Sequence, residues 1–242
     1  MIDRNAQSQM VWDQQWSLDR SNMYLPGQAD LEPPQAVIDF ADMAILHFAD
    51  RPANQVRALD LGSGMGRNSM YLAQKFGSVV GIDYSRSAVE QSKRLADTLD
   101  KSIDFVQADA IGDLPFPNDT FDLIIDSFTS TSIQGSENRE LFAKECERLL
   151  TPQGLLLMRS VSTEDITESR LIKTNPGPDV NSSIWPGTNK FQKNYTAAEI
   201  LELHDGLELI RLEKQRKYSY KLGMHVPVTN WMAVFEKGAT SE

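Results

Sequence analysis

From about residue 56 to residue 161, short runs of consecutive apolar residues alternate with segments whose apolar residues recur every three or four positions. The runs are 56–61, 78–83, 103–107, 121–126 and 155–161. Apolar runs of this length with little polar alternation predict strands covered on both faces, hence a parallel sheet with helices on each side. Between them, 67–76 places Met70, Ala73 and Phe76 on one helical face, with Gly77 as the stop. Residues 85–99 repeat Ala88, Ser92, Leu95 and Leu99 at helical spacing, with Ser87 and Glu90 as a capping box. Residues 137–150 do the same through Leu141, Phe142, Cys146, Leu149 and Leu150, and Pro152 with Gly154 turns the chain into the fifth run. The fold class is α/β, a doubly wound Rossmann-like sheet with right-handed crossovers.

Beyond residue 161 the alternation stops. Residues 162–194 are rich in Ser, Thr, Asn, Pro and Gly, with Trp185 and Phe191 embedded, and read as a long loop inserted after the fifth strand. A helix returns over 196–204, with Thr196 and Glu199 as a capping box and Gly206 at its stop. Residues 207–218 and 230–237 read as two final strands, a hairpin at one end of the sheet. Ahead of the alternating region lie an amphipathic helix over 34–48 and an aromatic-dotted stretch with Trp12, Trp16 and Tyr24. The expectation is one domain over 1–242, with 1–50 as a helical cap and 162–194 as an insertion over the site.

Composition narrows the function. The 242 residues suffice for one α/β domain with a full core. A formal net charge of −10 repels phosphate backbones, so nucleic acid is not an expected partner; the one basic run, 211–221, reads as a solvated strand face. The single cysteine, Cys146, excludes an intramolecular disulfide and a cysteine-rich zinc site, and no clustered set of ligands predicts a metal. No apolar run approaches membrane-spanning length, so a membrane is not expected and a cytoplasmic location is the default expectation. Oligomeric state is not legible.

The chemistry concentrates where the first apolar run ends, in Asp60-Leu61-Gly62-Ser63-Gly64-Met65-Gly66. A strand that stops in a glycine-dense turn and restarts as a helix places bare backbone amides beside a ligand. The dinucleotide fingerprint wants a third glycine three residues after the second, and that position is Arg67. A nicotinamide-dependent oxidoreductase is thereby disfavoured. Asp60, Asp83, Asp109 and Asp126 fall at or just past the ends of four successive runs, the rim where ligands of such sheets bind.

The ordered set DLGSGMGRNSMYLA, VVGIDYSRSAVE, QADA and LPFPNDTFDLIID resembles the class I S-adenosylmethionine (SAM)-dependent methyltransferases. LPFPxxxFD is similar to their small-molecule branch, and GRNSxYLA to the tellurite-resistance enzymes, relatives of thiopurine methyltransferase. The resemblance implies a seven-stranded sheet with the last strand antiparallel, and N-terminal aromatics, here Trp12, Trp16 or Tyr24, folding over the bound cofactor.

SAM then assigns roles. The turn of Gly62, Ser63, Gly64 and Gly66 with the following helix N-terminus suits its carboxylate. Asp60 is placed for its amine and Asp83 for the ribose hydroxyls. Asp109 and Ala110 suit the adenine edge, Tyr84 the adenine face, and Asp126 completes the rim. The acceptor is expected to be a small molecule, its atom (sulfur, selenium or tellurium, oxygen, nitrogen) left open. No catalytic base is plain; His225 and Tyr218 are the candidates. Arg159, Arg67 and Arg170 could bind an anionic acceptor, and Trp185 and Phe191 could roof an apolar one. A non-catalytic SAM-binding sensor or partner protein remains the rival from another class.

Overall fold

The computed structural model describes residues 4–17, 32–221 and 224–239. Seven strands form one sheet: β1 (Arg57–Leu61), β2 (Ser78–Asp83), β3 (Asp104–Gln107), β4 (Phe121–Ser127), β5 (Leu150–Val161), β8 (Glu208–Lys221) and β9 (Met224–Glu236). Their order is β3-β2-β1-β4-β5-β9-β8. The first five are parallel, and β9 runs antiparallel to both β5 and β8. The strand order reverses between β1 and β4, which opens a crevice at their carboxyl ends.

The apolar runs are continuous because both faces are covered. Ala58, Val79 and Leu123 stand in register on three strands and pack with Ala36, Val37, Phe40, Ala41 and Ala44 of α2 (Gln35–His47). Leu59, Val80 and Ile124, one position on, join the opposite core with Phe142, Cys146 and Leu149 of α5 (Ser136–Leu149). Burying each large side chain of this kind contributes about 1.5–3 kcal/mol. The expected Leu141 is exposed instead, since it falls on the outer face of α5. Leu99, expected on the buried face of α4 (Arg86–Thr98), is exposed at that helix's end.

Several boundaries differ from the sequence expectation. The helix after the glycine turn, α3 (Arg67–Leu72), ends one turn early, and Gly77 does not adopt the left-handed conformation of a helix stop. It is needed for close approach: a Cβ there would overlap the backbone carbonyl of Asn54. Gly77→Ala is therefore expected to cost about 2–3 kcal/mol, measured by urea denaturation; a loss within about 0.5 kcal/mol would reject the packing argument. Helix α4 is capped by Ser85, whose hydroxyl accepts from the Ala88 amide at 3.2 Å, not by a Ser87–Glu90 box; Glu90 pairs with Arg86.

The stretch 162–194 is not a plain loop. It holds α6 (Ile166–Thr174) and a small hairpin of β6 (Ser182–Ile184) and β7 (Phe191–Lys193). Asp165 caps α6 through the Glu168 amide and also accepts from Thr229 of β9, which ties the insertion to the sheet. The capping box on α7 (Ala197–Leu203) is present as read. The final hairpin is longer than expected: the β8–β9 pairing continues past Asn230, the last partner of β5, to Met224. Pro227 conceals this extension in the sequence, but it sits on an exposed arm where no third strand needs its missing amide. Among the described residues no helix is long and apolar enough to cross a membrane.

Candidate functional site

The glycine turn is built at the end of β1. Gly62, Gly64 and Gly66 have φ of 64°, 56° and 81°, the left-handed region. The turn is pinned on both sides. The Ser63 amide donates to the Ile82 carbonyl at 2.8 Å, and the Gly64 amide donates to Asp83 Oδ2 at 2.9 Å. On the β4 side Thr129 donates its hydroxyl to the Leu61 carbonyl at 2.6 Å, and a Cβ on Gly62 would overlap that hydroxyl. Sequence reading missed Thr129, which carries no signal beyond following a strand end.

Asp60 and Asp83 flank the turn differently. Asp60 is fully buried and accepts from Ser69 Oγ of α3 at 2.7 Å through Oδ2; its Oδ1 has no partner. Burial, the largest cause, pushes its carboxyl up to about 6, although the Ser69 hydroxyl and amide and the Asn68 side chain pull it down. Asp83 accepts the Gly64 amide and, through Oδ1, the Ser85 amide at 2.9 Å. Burial raises its carboxyl, while the two backbone donors pull it down. Ser63 Oγ and Asn68 Oδ1 are also buried without partners. Three unpaired polar atoms around one turn describe a surface that fits a polar ligand, since such atoms are otherwise costly.

Asp126 belongs to the opposite face of the sheet from Asp60. Its Oδ1 accepts the Thr129 and Ser130 amides at 2.8 and 3.1 Å, holding the turn after β4, and its Oδ2 is unpaired. Burial pushes this carboxyl up to about 6 as well. Asp109 is exposed just past β3 and accepts from the Ile111 amide at 3.0 Å; Ala110 packs at the edge of the α5-side core. Tyr84 is half-buried, and its carbonyl receives Gln9 and Gln107 side chains.

Helix α1 (Arg4–Ser17) lies across this rim. Asp13 Oδ1 accepts from the Ser85 hydroxyl at 2.5 Å and from the Ser87 amide at 3.4 Å. Gln91 Nε2 donates to the Trp16 carbonyl at 2.5 Å. The Trp16 ring fills the space beside Gly64, where a Cβ would come 2.8 Å from it. Trp12 stacks on Trp16 with centroids 6.4 Å apart, and Lys190, at the turn of the β6–β7 hairpin, sits 4.1 Å from the Trp12 ring centroid. The expected Tyr24 lies outside the described residues.

On the β5 side the outstanding group is Arg159. Its side chain is 2% exposed, in register with Ser127 of β4 and Met232 of β9. Nη1 donates to Ser127 Oγ at 2.8 Å, the guanidinium lies 4.7 Å from the Phe128 ring centroid, and Nε has no acceptor. Among the described residues no carboxylate lies within ion-pair distance of it. Burial first, then the charge of Arg67, lowers its pKa to about 10, against a small opposing pull from Asp126. A cation–π contact gives back about 0.5–2 kcal/mol, whereas an enclosed charge costs several kcal/mol.

The remaining candidates stand apart from the crevice. Tyr218 and His225 lie towards the end of the β8–β9 arm, beyond the last residue paired with β5; Tyr218 is 76% exposed and His225 is exposed. Arg170 is exposed on α6. His204 caps α7, buried and packed 5.0 Å from Phe235, and burial lowers its pKa to about 4.

Residues 58–154 match the family model described as a methyltransferase domain. The chain is 36% identical over 116 residues to the demethylmenaquinone methyltransferase of Clavibacter sepedonicus, covering 48% of this chain and 45% of that protein. It is 29% identical over 181 residues to the protein-lysine N-methyltransferase EFM4 of Saccharomyces cerevisiae, covering 67% and 76%. The match thus spans under half the length of the bacterial relative and about three quarters of the yeast one. A crystal structure of a SAM-dependent methyltransferase from Methanosarcina mazei superposes with a TM-score of 0.70 at 18% identity, over 80% of this chain and 97% of that one, and shares the fold.

Proposed function

We propose that this chain, a class I SAM-dependent methyltransferase by its residues 58–154, moves a methyl group onto a small-molecule acceptor by in-line displacement. The observation that carries the reading is the pinned glycine turn, bordered by Asp60 and Ser63 with unpaired oxygens and by Asp83. Asp60 Oδ1 would take the amine of the cofactor, and the turn with the head of α3 its carboxylate. Each Asp83 oxygen keeps a second lone pair for a ribose hydroxyl. Tyr84, Asp109 and Ala110 would border the adenine, with Asp126 holding the turn after β4 in place. SAM supplies an activated methyl on a sulfonium, a leaving group that needs no proton.

The chain's own contribution is therefore position and exclusion of water. Helix α1 and the insertion cover the rim, and Trp16 must move from Gly64 before a ligand lies there. Residues 162–194 would roof the acceptor, with Lys190 against Trp12 joining the two covers. No catalytic base is required of His225 or Tyr218 in this reading.

Titration calorimetry with SAM and NADH, followed by S-adenosylhomocysteine release across a panel of small thiols, phenols and amines and a lysine-bearing protein, tests it. SAM binding and turnover of small acceptors are expected. Turnover of the protein alone would favour the lysine reading, and tight binding with no turnover the sensor. Asp83→Ala should weaken SAM binding by about tenfold or more, near 1.4 kcal/mol; unchanged affinity would remove its ribose role.

A further inference from the structure

A guanidinium shut away from water needs an anion, and Arg159 has none within ion-pair distance among the described residues. Its enclosure is built. Phe128, over the guanidinium, holds φ of 71°, a conformation a bulky residue adopts only when its surroundings impose it. The Phe128 amide donates to the Arg159 carbonyl at 2.9 Å, so ring and guanidinium are locked as one unit at the ends of β4 and β5. Ser127 takes one donor of the fork, and Nε stays unpaired. Arg67 at the head of α3 adds a second positive charge nearby, against a smaller opposing pull from Asp126. Two cations gather here in a chain of net charge −10.

We propose that Arg159, covered by Phe128, receives an oxyanion, carboxylate or phosphate, carried by the methyl acceptor, so that the acceptors are small organic anions. The inference rests on the methyltransferase reading for the word acceptor, though not for the anion. The carboxylate of the cofactor is the other source of the same chemistry. Arg159 stands on β5, two strands from β1, and Thr129, bonded to the Leu61 carbonyl, closes the glycine turn on that side. Arg67, at the head of α3, links Arg159 also to the end where the cofactor carboxylate would sit, so the test separates the two sources. The fork geometry of arginine suits two parallel bonds to an oxyanion.

The test titrates benzoate, inorganic phosphate and neutral benzyl alcohol into the full chain saturated with S-adenosylhomocysteine. Benzoate or phosphate should bind, and benzyl alcohol about tenfold more weakly or not at all. Arg159→Gln should lose about tenfold or more in anion affinity, Arg159→Lys about threefold at most, and S-adenosylhomocysteine affinity should stay within about threefold in both. Equal binding of benzoate and benzyl alcohol to the unaltered chain overturns the proposal, even if Arg159→Gln does not fold. So does a folded Arg159→Gln with full anion affinity. Loss of S-adenosylhomocysteine affinity in that variant, with anion binding intact, hands the guanidinium to the cofactor. If the unaltered chain binds no S-adenosylhomocysteine, the methyltransferase reading fails, and the anion site is judged separately by the same variants without it.

Discussion

Gly64→Val should abolish SAM binding, with a loss of about a hundredfold or more, near 2.7 kcal/mol. Three effects converge. The native φ of 56° suits glycine, and a β-branched residue there is strained by about 1–2 kcal/mol. The new side chain would occupy the space that Trp16 fills, at 2.8 Å from its ring, and which a ligand would use in its place. Strain in the turn would also misdirect the Gly64 amide that Asp83 accepts. The sheet should survive, because the turn lies at its rim. Gly112→Val is the control: φ there is 108° and nothing lies within 4 Å of a Cβ, so it shares backbone strain without the site. Calorimetric SAM affinity within about threefold of the unaltered chain would reject the turn as the cofactor cradle.

The second large effect is on stability against pH. Burial holds Asp60 and Asp126 at about 6, above the ordinary 3.8. The folded form therefore binds these protons more tightly than the unfolded one. Stability falls as pH rises from about 4 to about 6, and the cost, roughly 3 kcal/mol for each carboxyl, is fully present above that range. His204 acts in the opposite sense: lowered to about 4, its contribution is present above 6.5 and lost as pH falls towards 4. The unaltered chain thus shows a partly cancelled slope. Asp126→Asn and Asp60→Asn should each gain on it by about 3 kcal/mol between about pH 4 and pH 7, followed by urea denaturation. A difference that stays constant with pH would show that burial does not set these protons.

The central strands were legible because both their faces are covered, which leaves uninterrupted apolar runs at Val79–Val80 and Leu123–Ile125. Helix α6 was not, since it buries only Leu171 and Glu168 and shows no apolar stripe. In the site, the positions of Asp60 and Asp83 could be read as acids ending apolar runs. Their partners could not: Asp13 reaches Ser85 across 72 positions, and no spacing rule connects them. His225 and Tyr218 would reach the rim only on a short final hairpin, and the β8–β9 pairing carries them beyond the last residue paired with β5. Arg159 was readable as a cation; its enclosure by Phe128 depends on a left-handed φ that no phenylalanine advertises.

Because Trp16 presses on the same glycine that a nucleoside would use under the proposed function, the N-terminal helix would act there as a competitor tethered in cis. A helix seated nine times in ten makes the apparent dissociation constant about tenfold weaker than that of the bare crevice. Entry then follows the lifetime of the seated helix rather than diffusion. Whatever else grips residues 4–17 elsewhere in the cell would raise cofactor occupancy without touching the crevice itself.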